Sequence, residues 1–196
     1  MKIILASSSP RRAEILRDAG IPFTVCATQI DESPLPHESA HAMVARLAEA
    51  KARAAAALVN AGEDQCIVIG ADTTVDLNGE ILGKPDDCAH AREMLAKLSG
   101  RTHHVLTGLF LLRISDNATR AAVEISNVTF AALSENEIAA YVISREPLGK
   151  AGGYAIQGIA GRFIPKIEGC YFNVVGLPLA RLYALLRELG WKNGKQ

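Results

Sequence analysis

The sequence carries no excess of charge of either sign: 21 Lys+Arg are balanced by 21 Asp+Glu, for a formal net charge of zero. That excludes a protein that grips nucleic acid through a broad basic face, so any anion site must be local. Paired cysteines are missing too. Cys26, Cys66, Cys88 and Cys170 are scattered without a C-x-x-C spacing, which suits neither a disulfide framework nor a zinc knuckle. Long apolar runs are also absent. The stretch after Lys2 is far too short for a secretory signal core, and no later run approaches the roughly 20 residues of a membrane span. No internal repeat, low-complexity tract or interdomain linker is visible. These absences read as a cytoplasmic, non-membrane protein with one domain over 1–196, and 49% hydrophobic residues are enough to bury a substantial core.

What is present alternates between strand and helix. Lys2 to Ala6 reads as a buried strand, and Ser9-Pro10 as a cap followed by proline at the first helical position, with Gly20 closing the helix. A proline-broken stretch, 31–38, leads to Ser39 and a long alanine-rich helix carrying Lys51. Residues 66–71 form an apolar strand at whose end Asp72 falls; 73–77 continue extended to the hairpin signal Asn78-Gly79, and 80–82 return. Asp86 or Asp87 caps a helix that runs to Leu98 and stops at Gly100. Two β-rich segments follow, 104–113 and 119–131, then the capping box Ser134-x-x-Glu137 and a helix to Ser144. Residues 150–161 are too glycine-rich for either regular element and read as a binding loop. Residues 163–167 and 171–175 read as strands, Pro178 opens a last amphipathic helix closed by Gly190, and the tail 192–196 reads as frayed. The pattern predicts a mixed α/β sheet covered by helices.

Four segments could carry chemistry. Ser7-Ser8-Ser9-Pro10-Arg11-Arg12 joins a strand to a helix N-terminus, where free amides and the helix dipole favour an anion and arginine forks match phosphate oxygens. A serine that only caps the helix, with two solvated arginines, would produce the same sequence. The loop is not G-x-x-x-x-G-K-[ST], so it is no Walker A motif. Asp72, with Asp31 and Glu32 upstream, supplies carboxylates from separate segments, as a metal-bound nucleotide requires, although an isolated Asp is more often a local turn partner. Lys51 and Lys84, the latter in Gly83-Lys84-Pro85, are point charges for phosphate if the fold brings them to Asp72, and surface charge otherwise. In Lys150 to Gly158, Gln157 can donate and accept toward the carbonyls and imino N–H of uracil or thymine; a glycine-rich turn with Tyr154 and Ile156 in the core is the bland alternative. His37-Glu38-Ser39-Ala40-His41 matches H-E-x-x-H literally, but Pro34, Pro36 and a cap at Ser39 put His37 outside the helix that a zinc peptidase site would need.

Taken in order, Leu5-Ala6-Ser7-Ser8-Ser9-Pro10-Arg11-Arg12, Arg46-Leu47-Ala48 with Lys51-Ala52, Gly70-Ala71-Asp72-Thr73, Gly83-Lys84-Pro85, Leu98-Ser99-Gly100-Arg101-Thr102-His103, Glu146-Pro147 with Lys150-Ala151-Gly152, Ile156-Gln157-Gly158 and Asn173-Val174-Val175-Gly176-Leu177-Pro178 resemble the Maf family of nucleotide pyrophosphatases over nearly the whole chain. The resemblance implies an elongated α/β fold similar to the inosine triphosphatase family, with two lobes, a central cleft and a homodimer. It also implies hydrolysis of a nucleoside triphosphate between the α and β phosphates, with a divalent cation, Mg²⁺ or Mn²⁺. It assigns proton acceptance to Asp72, phosphate contact to Ser7, Arg11, Arg12, Lys51 and Lys84, and a place near the metal to Glu32. Arg12 or Arg11, Thr73 and Gln157 resemble the dTTP/UTP branch rather than the one acting on 7-methyl-GTP. Thr74, where an apolar residue is usual, and Cys170, where a serine or acid is common, depart from the family pattern. A non-catalytic nucleotide-binding regulator of septum formation would use the same cleft.

Overall fold

Two strands, each twelve residues long, run through the middle of the molecule and carry everything else. These are β3 (Cys66–Leu77) and β5 (Thr102–Arg113), paired antiparallel from Ile67 opposite Arg113 to Asp76 opposite His104. The computed structural model describes residues 1–59 and 65–192. In chain order the remaining elements are β1 (Lys2–Ala6), α1 (Pro10–Asp18), β2 (Thr24–Val25), α2 (Ala40–Ala56), β4 (Glu80–Leu82), α3 (Cys88–Leu98), β6 (Thr119–Thr129), α4 (Glu135–Ile143), two 3₁₀ turns (Ala151–Gly153 and Ile159–Phe163), β7 (Lys166–Glu168), α5 (Tyr171–Val175) and α6 (Leu179–Glu188). The sheet order is β2-β1-β3-β5-β6-β7, with β4 also on β3. β1 is parallel to both neighbours; the β3–β4, β3–β5, β5–β6 and β6–β7 pairs are antiparallel. The mixed, helix-flanked sheet is the architecture the alternating pattern predicts.

The side-chain period of two sorts β3 cleanly. Ile67, Ile69 and Ala71 join Leu5, Leu16, Leu109, Leu111 and Leu182 in a core beneath α1, α5 and α6. Cys66 and Val68 point the other way, into a core with Ala48, Ala52 and Ala55 of α2. At the far ends of β3 and β5 a separate core forms from Val75, Leu77, Val105, Leu95, Tyr141, Tyr154 and Phe163. The first two cores at one end of this pair of strands and the third at the other make two lobes.

The termini of the elements follow local chemistry. Ser39 caps α2 by accepting from the Ala42 amide, Asp87 rather than Asp86 caps α3, and Ser134 with Glu137 forms the expected box at α4. Four expectations need correction. Asp72 does not end a strand but lies inside β3, because β5 keeps pairing through it on one edge. Residues 171–175 are the helix α5, bracketed by Gly169 and Gly176 at φ 119° and 120° and anchored by the buried Asn173, whose amide donates to the Val105 carbonyl at 2.9 Å. A run of five residues, four of them apolar, carries no periodicity that separates strand from helix. Of 163–167, only 166–167 are strand, within Lys166–Glu168, since Phe163 closes a 3₁₀ turn. Ser9 occupies the cap position of α1 but its side chain makes no capping bond. The frayed-tail reading falls largely on 193–196, outside the described residues.

Candidate active site

The cleft opens where β3 loses its neighbour. β1 accompanies β3 only as far as Ala6 opposite Gly70, and β4 takes up the same edge at Val75. Residues 71–74 are left without a strand partner there, and the chain leaving β1 turns into the loop Ser7 to Ser9 and then α1. A cavity of about 290 Å³ fills the gap, lined by all nine residues to which the resemblance gives a role: Ser7, Arg11, Arg12, Glu32, Lys51, Asp72, Thr73, Lys84 and Gln157. The candidate carboxylate Asp31 is not in the lining and instead accepts from the Ser33 amide at 2.9 Å.

Consecutive residues of β3 serve its opposite faces. Thr73 points toward α5, and Asp72 toward α2. On the α5 side, the buried guanidinium of Arg12 spans the gap: Nε donates to the Gly176 carbonyl at 2.8 Å, Nη1 to the Ala71 carbonyl and Ser7 Oγ at 2.9 Å each, and Nη2 to Thr73 Oγ1 at 3.0 Å. Thr73 Oγ1 lies 2.9 Å from Thr107 Oγ1, which donates to the Asn173 carbonyl at 3.1 Å. Four of the five guanidinium N–H groups are thereby committed to neutral acceptors. Burial pulls the Arg12 pKa down, with Asp72 opposing that shift. Arg12 is a strut between β1, β3 and α5 before it is anything else, whereas Arg11 is only partly buried and faces the cleft.

On the other face α2 sits directly on the sheet. A Cβ on Gly70 would lie 2.0 Å from the Ala48 carbonyl oxygen, and one on Gly108 would lie 2.2 Å from that of Val44. Gly108 stands opposite Asp72, and Gly70 is two residues before it, so all three share the α2 face. The close approach brings Lys51 of α2 within reach of the strand. Its Nζ is 2.6 Å from Asp72 Oδ1 and 2.6 Å from Glu32 Oε1, and Lys84 Nζ is 2.9 Å from Glu32 Oε2. Asp72 and Lys51 are each 7% exposed. Among the described residues no hydrogen bond reaches Asp72 Oδ2. Burial works to raise the pKa of Glu32, but the hydrogen bonds and charges of Lys51 and Lys84 outweigh it and hold the group at about 2. Both carboxylates are hard oxygen donors from separate segments, and among the described residues no cluster of three or more His, Cys, Asp or Glu could hold a metal ion. Two such donors suit an Mg²⁺ or Mn²⁺ whose remaining ligands are phosphate and water better than a protein-enclosed zinc.

The far wall is the glycine-rich loop. Its shape depends on Glu146, whose carboxylate accepts from Tyr141 Oη at 2.9 Å and from the Ile159 amide at 3.0 Å. Tyr154 and Ile156 pack inward while Gln157 is exposed at the cleft. Lys150, to which the sequence gave no role of its own, also lines the cleft. Its ammonium donates to the Glu146 carbonyl at 2.5 Å, and among the described residues it has no carboxylate partner. Burial lowers its pKa, as does the neighbouring Arg11 charge. A lysine in a glycine-rich loop was the signal, but its direction was not readable. The cleft thus holds Arg11, Arg12, Lys51, Lys84 and Lys150 against Glu32 and Asp72, an excess of three positive charges on a chain with none overall.

The zinc-peptidase geometry is absent. His37 lies outside α2 with φ at 61°, and Glu38 is clamped by Arg46 through contacts of 2.6 and 2.7 Å, with its pKa held at about 2 chiefly by that pairing.

A family model described as "Maf-like protein" matches residues 2–189. The chain belongs to the Maf family. Among curated relatives of this Maf chain, the dTTP/UTP pyrophosphatase of Pelotomaculum thermopropionicum is 45% identical over 190 residues, covering 97% of each chain. The dTTP/UTP pyrophosphatase of Escherichia coli strain K12 is 48% identical over 184 residues, covering 94% of this Maf chain and 91% of its own. The Staphylococcus aureus Ham1 protein shares the fold, with a TM-score of 0.55 at 15% identity, covering 96% of this chain and 100% of its own.

Proposed function

We propose that this Maf chain hydrolyses pyrimidine nucleoside triphosphates, dTTP and UTP, to the monophosphate and pyrophosphate. The observation that carries the reading is the cleft itself: a localised excess of three positive charges surrounds a buried carboxylate, one of whose oxygens accepts no hydrogen bond among the described residues. A triphosphate bearing about four negative charges, or about two when a divalent ion accompanies it, matches that excess. The names of the two relatives point to the same substrates.

In this reading Arg11, Lys84 and Lys51 neutralise phosphate oxygens. Ser7 adds a hydroxyl, held in place by Arg12. Arg12 keeps the loop, β3 and α5 in register and has one N–H left for substrate. Glu32 and Asp72 hold the divalent cation, which supplies charge neutralisation at the phosphates and a more acidic water. Asp72 Oδ2 accepts the proton of a water aligned with the α phosphorus. Gln157 meets the base edge, and Thr73 shapes the floor beneath it through its bonds to Arg12 and Thr107.

The experiment is pyrophosphate release by purified protein with Mg²⁺ or Mn²⁺, across canonical and modified nucleoside triphosphates. dTTP and UTP should lead the panel, Asp72→Asn should lose on the order of a hundredfold to ten-thousandfold in rate, and Gln157→Ala should lose base preference. Full turnover in Asp72→Asn would remove it as proton acceptor. No release from any nucleotide, with tight binding retained, would instead support a nucleotide-binding regulator.

A further inference from the structure

Lys51 does more than line the cleft. Its ammonium lies 2.6 Å from an oxygen of each of the two carboxylates, one on β3 and one in the loop before α2. Those are contacts that a small hard cation held by the same pair would make. The root of the side chain is fixed, because the α2 backbone rests on Gly70 and Gly108, but the stem above it is a flexible four-carbon chain. A divalent ion entering while the ammonium stayed would bring three positive charges against two negative ones in a setting only 7% exposed at Lys51 and Asp72, where solvent screens repulsion poorly. A triphosphate changes that balance. Its oxygens offer the ammonium a new partner, and the carboxylates are released.

We propose that the Lys51 ammonium holds the metal's place between Asp72 and Glu32 until nucleotide arrives, so that metal and triphosphate enter together and metal alone binds poorly. This rests on the reading above that Glu32 and Asp72 hold the metal. No bond is made or broken; the ammonium exchanges carboxylate acceptors for phosphate ones. Lys84, 2.9 Å from the second Glu32 oxygen and exposed, keeps Glu32 in position through the exchange. The arrangement also disfavours capture of stray divalent ions by the cleft between turnovers.

The test is Mn²⁺ retention by the full chain in equilibrium ultrafiltration, where free metal and metal–nucleotide pass the filter. Wild type, Lys51→Met, Lys51→Arg and Glu32→Gln are compared with and without an α,β-methylene analogue of dTTP. Wild type should bind Mn²⁺ at least tenfold more weakly without the analogue than with it. Lys51→Met, without the analogue, should bind at least tenfold more tightly than wild type, while Lys51→Arg, which keeps a cation there, should stay weak. Lys51→Gln serves as the neutral variant should the methionine variant fail to fold. The proposal is overturned if wild type binds Mn²⁺ equally well with and without the analogue, or if neutral variants bind no better than wild type, while Glu32→Gln still abolishes uptake. If Glu32→Gln leaves uptake with the analogue intact, the metal assignment itself fails, and the proposal with it.

Discussion

Replacing Gly108 by alanine tests the link between helix seating and catalysis. The new methyl carbon would lie 2.2 Å from the Val44 carbonyl oxygen and 2.5 Å from its carbon, and both are backbone atoms that no rotamer change can move. Ordinary contact needs about 1 Å more, so α2 must retreat from the sheet by about that much. Overpacking of this kind costs about 1–3 kcal/mol, and for a chain of this size each kcal/mol lowers Tm by roughly 2–4 °C. The larger effect should be on rate. Lys51 rides on α2, its 2.6 Å contact to Asp72 crosses the interface being wedged apart, and misplacing a catalytic group by 1 Å costs on the order of a hundredfold. Thermal melting and pyrophosphate release from dTTP, measured on the same preparation, give both quantities. Gly83→Ala is the control for stability, since a Cβ there meets nothing within 4 Å. If Gly108→Ala melts with wild type and turns over at the wild-type rate, direct backbone contact does not seat α2, and the account of how Lys51 reaches Asp72 is wrong.

His103 makes stability pH-dependent. It is buried against Phe130 and Tyr154, Nε2 is 2.8 Å from Tyr154 Oη, and burial depresses its pKa from 6.5 to about 4. The unfolded chain therefore takes up a proton first on acidification, and stability falls as pH drops from 6.5 to about 4, by about 3 kcal/mol in all. Urea unfolding across that window should show the slope in wild type and a shallower one in His103→Phe. Tyr141→Phe leaves Glu146 without the phenol donor that helps set the Gln157 loop and should cost about 1–2 kcal/mol by denaturant titration. Lys150→Ala should raise KM for the triphosphate by roughly 10- to 100-fold, as loss of one charged hydrogen bond does, with little change in kcat; an unchanged KM would take Lys150 out of the substrate's reach.

Much of the fold was legible because its boundaries are set by local chemistry. The cap at Ser39, the box at Ser134, the proline opening α1 and the Asn78-Gly79 hairpin are all decided within four residues. What was misread depended on partners far away in sequence. Asp72 looked like a strand end because polar residues follow an apolar run, yet β5 carries the strand onward through Gly108 and Thr107. α5 looked like a strand because nothing in a five-residue, mostly apolar run announces that Asn173 will bond to Val105 and Ser126 on neighbouring strands. The site was legible as a set of residue types, not as a mechanism. Arginines in a loop before a helix pointed to phosphate, but only the fold makes Arg12 a strut reaching Gly176, 164 residues away. Carboxylates and lysines could be named from the sequence; that Lys51 bridges Asp72 and Glu32 could not, since the bridge exists only because two glycines let α2 lie on the sheet.

The most direct test of the central claim is where the oxygen of water ends up. Hydrolysis of UTP or dTTP by the purified protein in H₂¹⁸O, with products separated and weighed by mass spectrometry, reports which phosphorus is attacked. The account predicts one ¹⁸O in the nucleoside monophosphate and none in the pyrophosphate. Label in the pyrophosphate, or release of orthophosphate and nucleoside diphosphate instead, would contradict attack at the α phosphorus and with it the alignment assigned to Asp72.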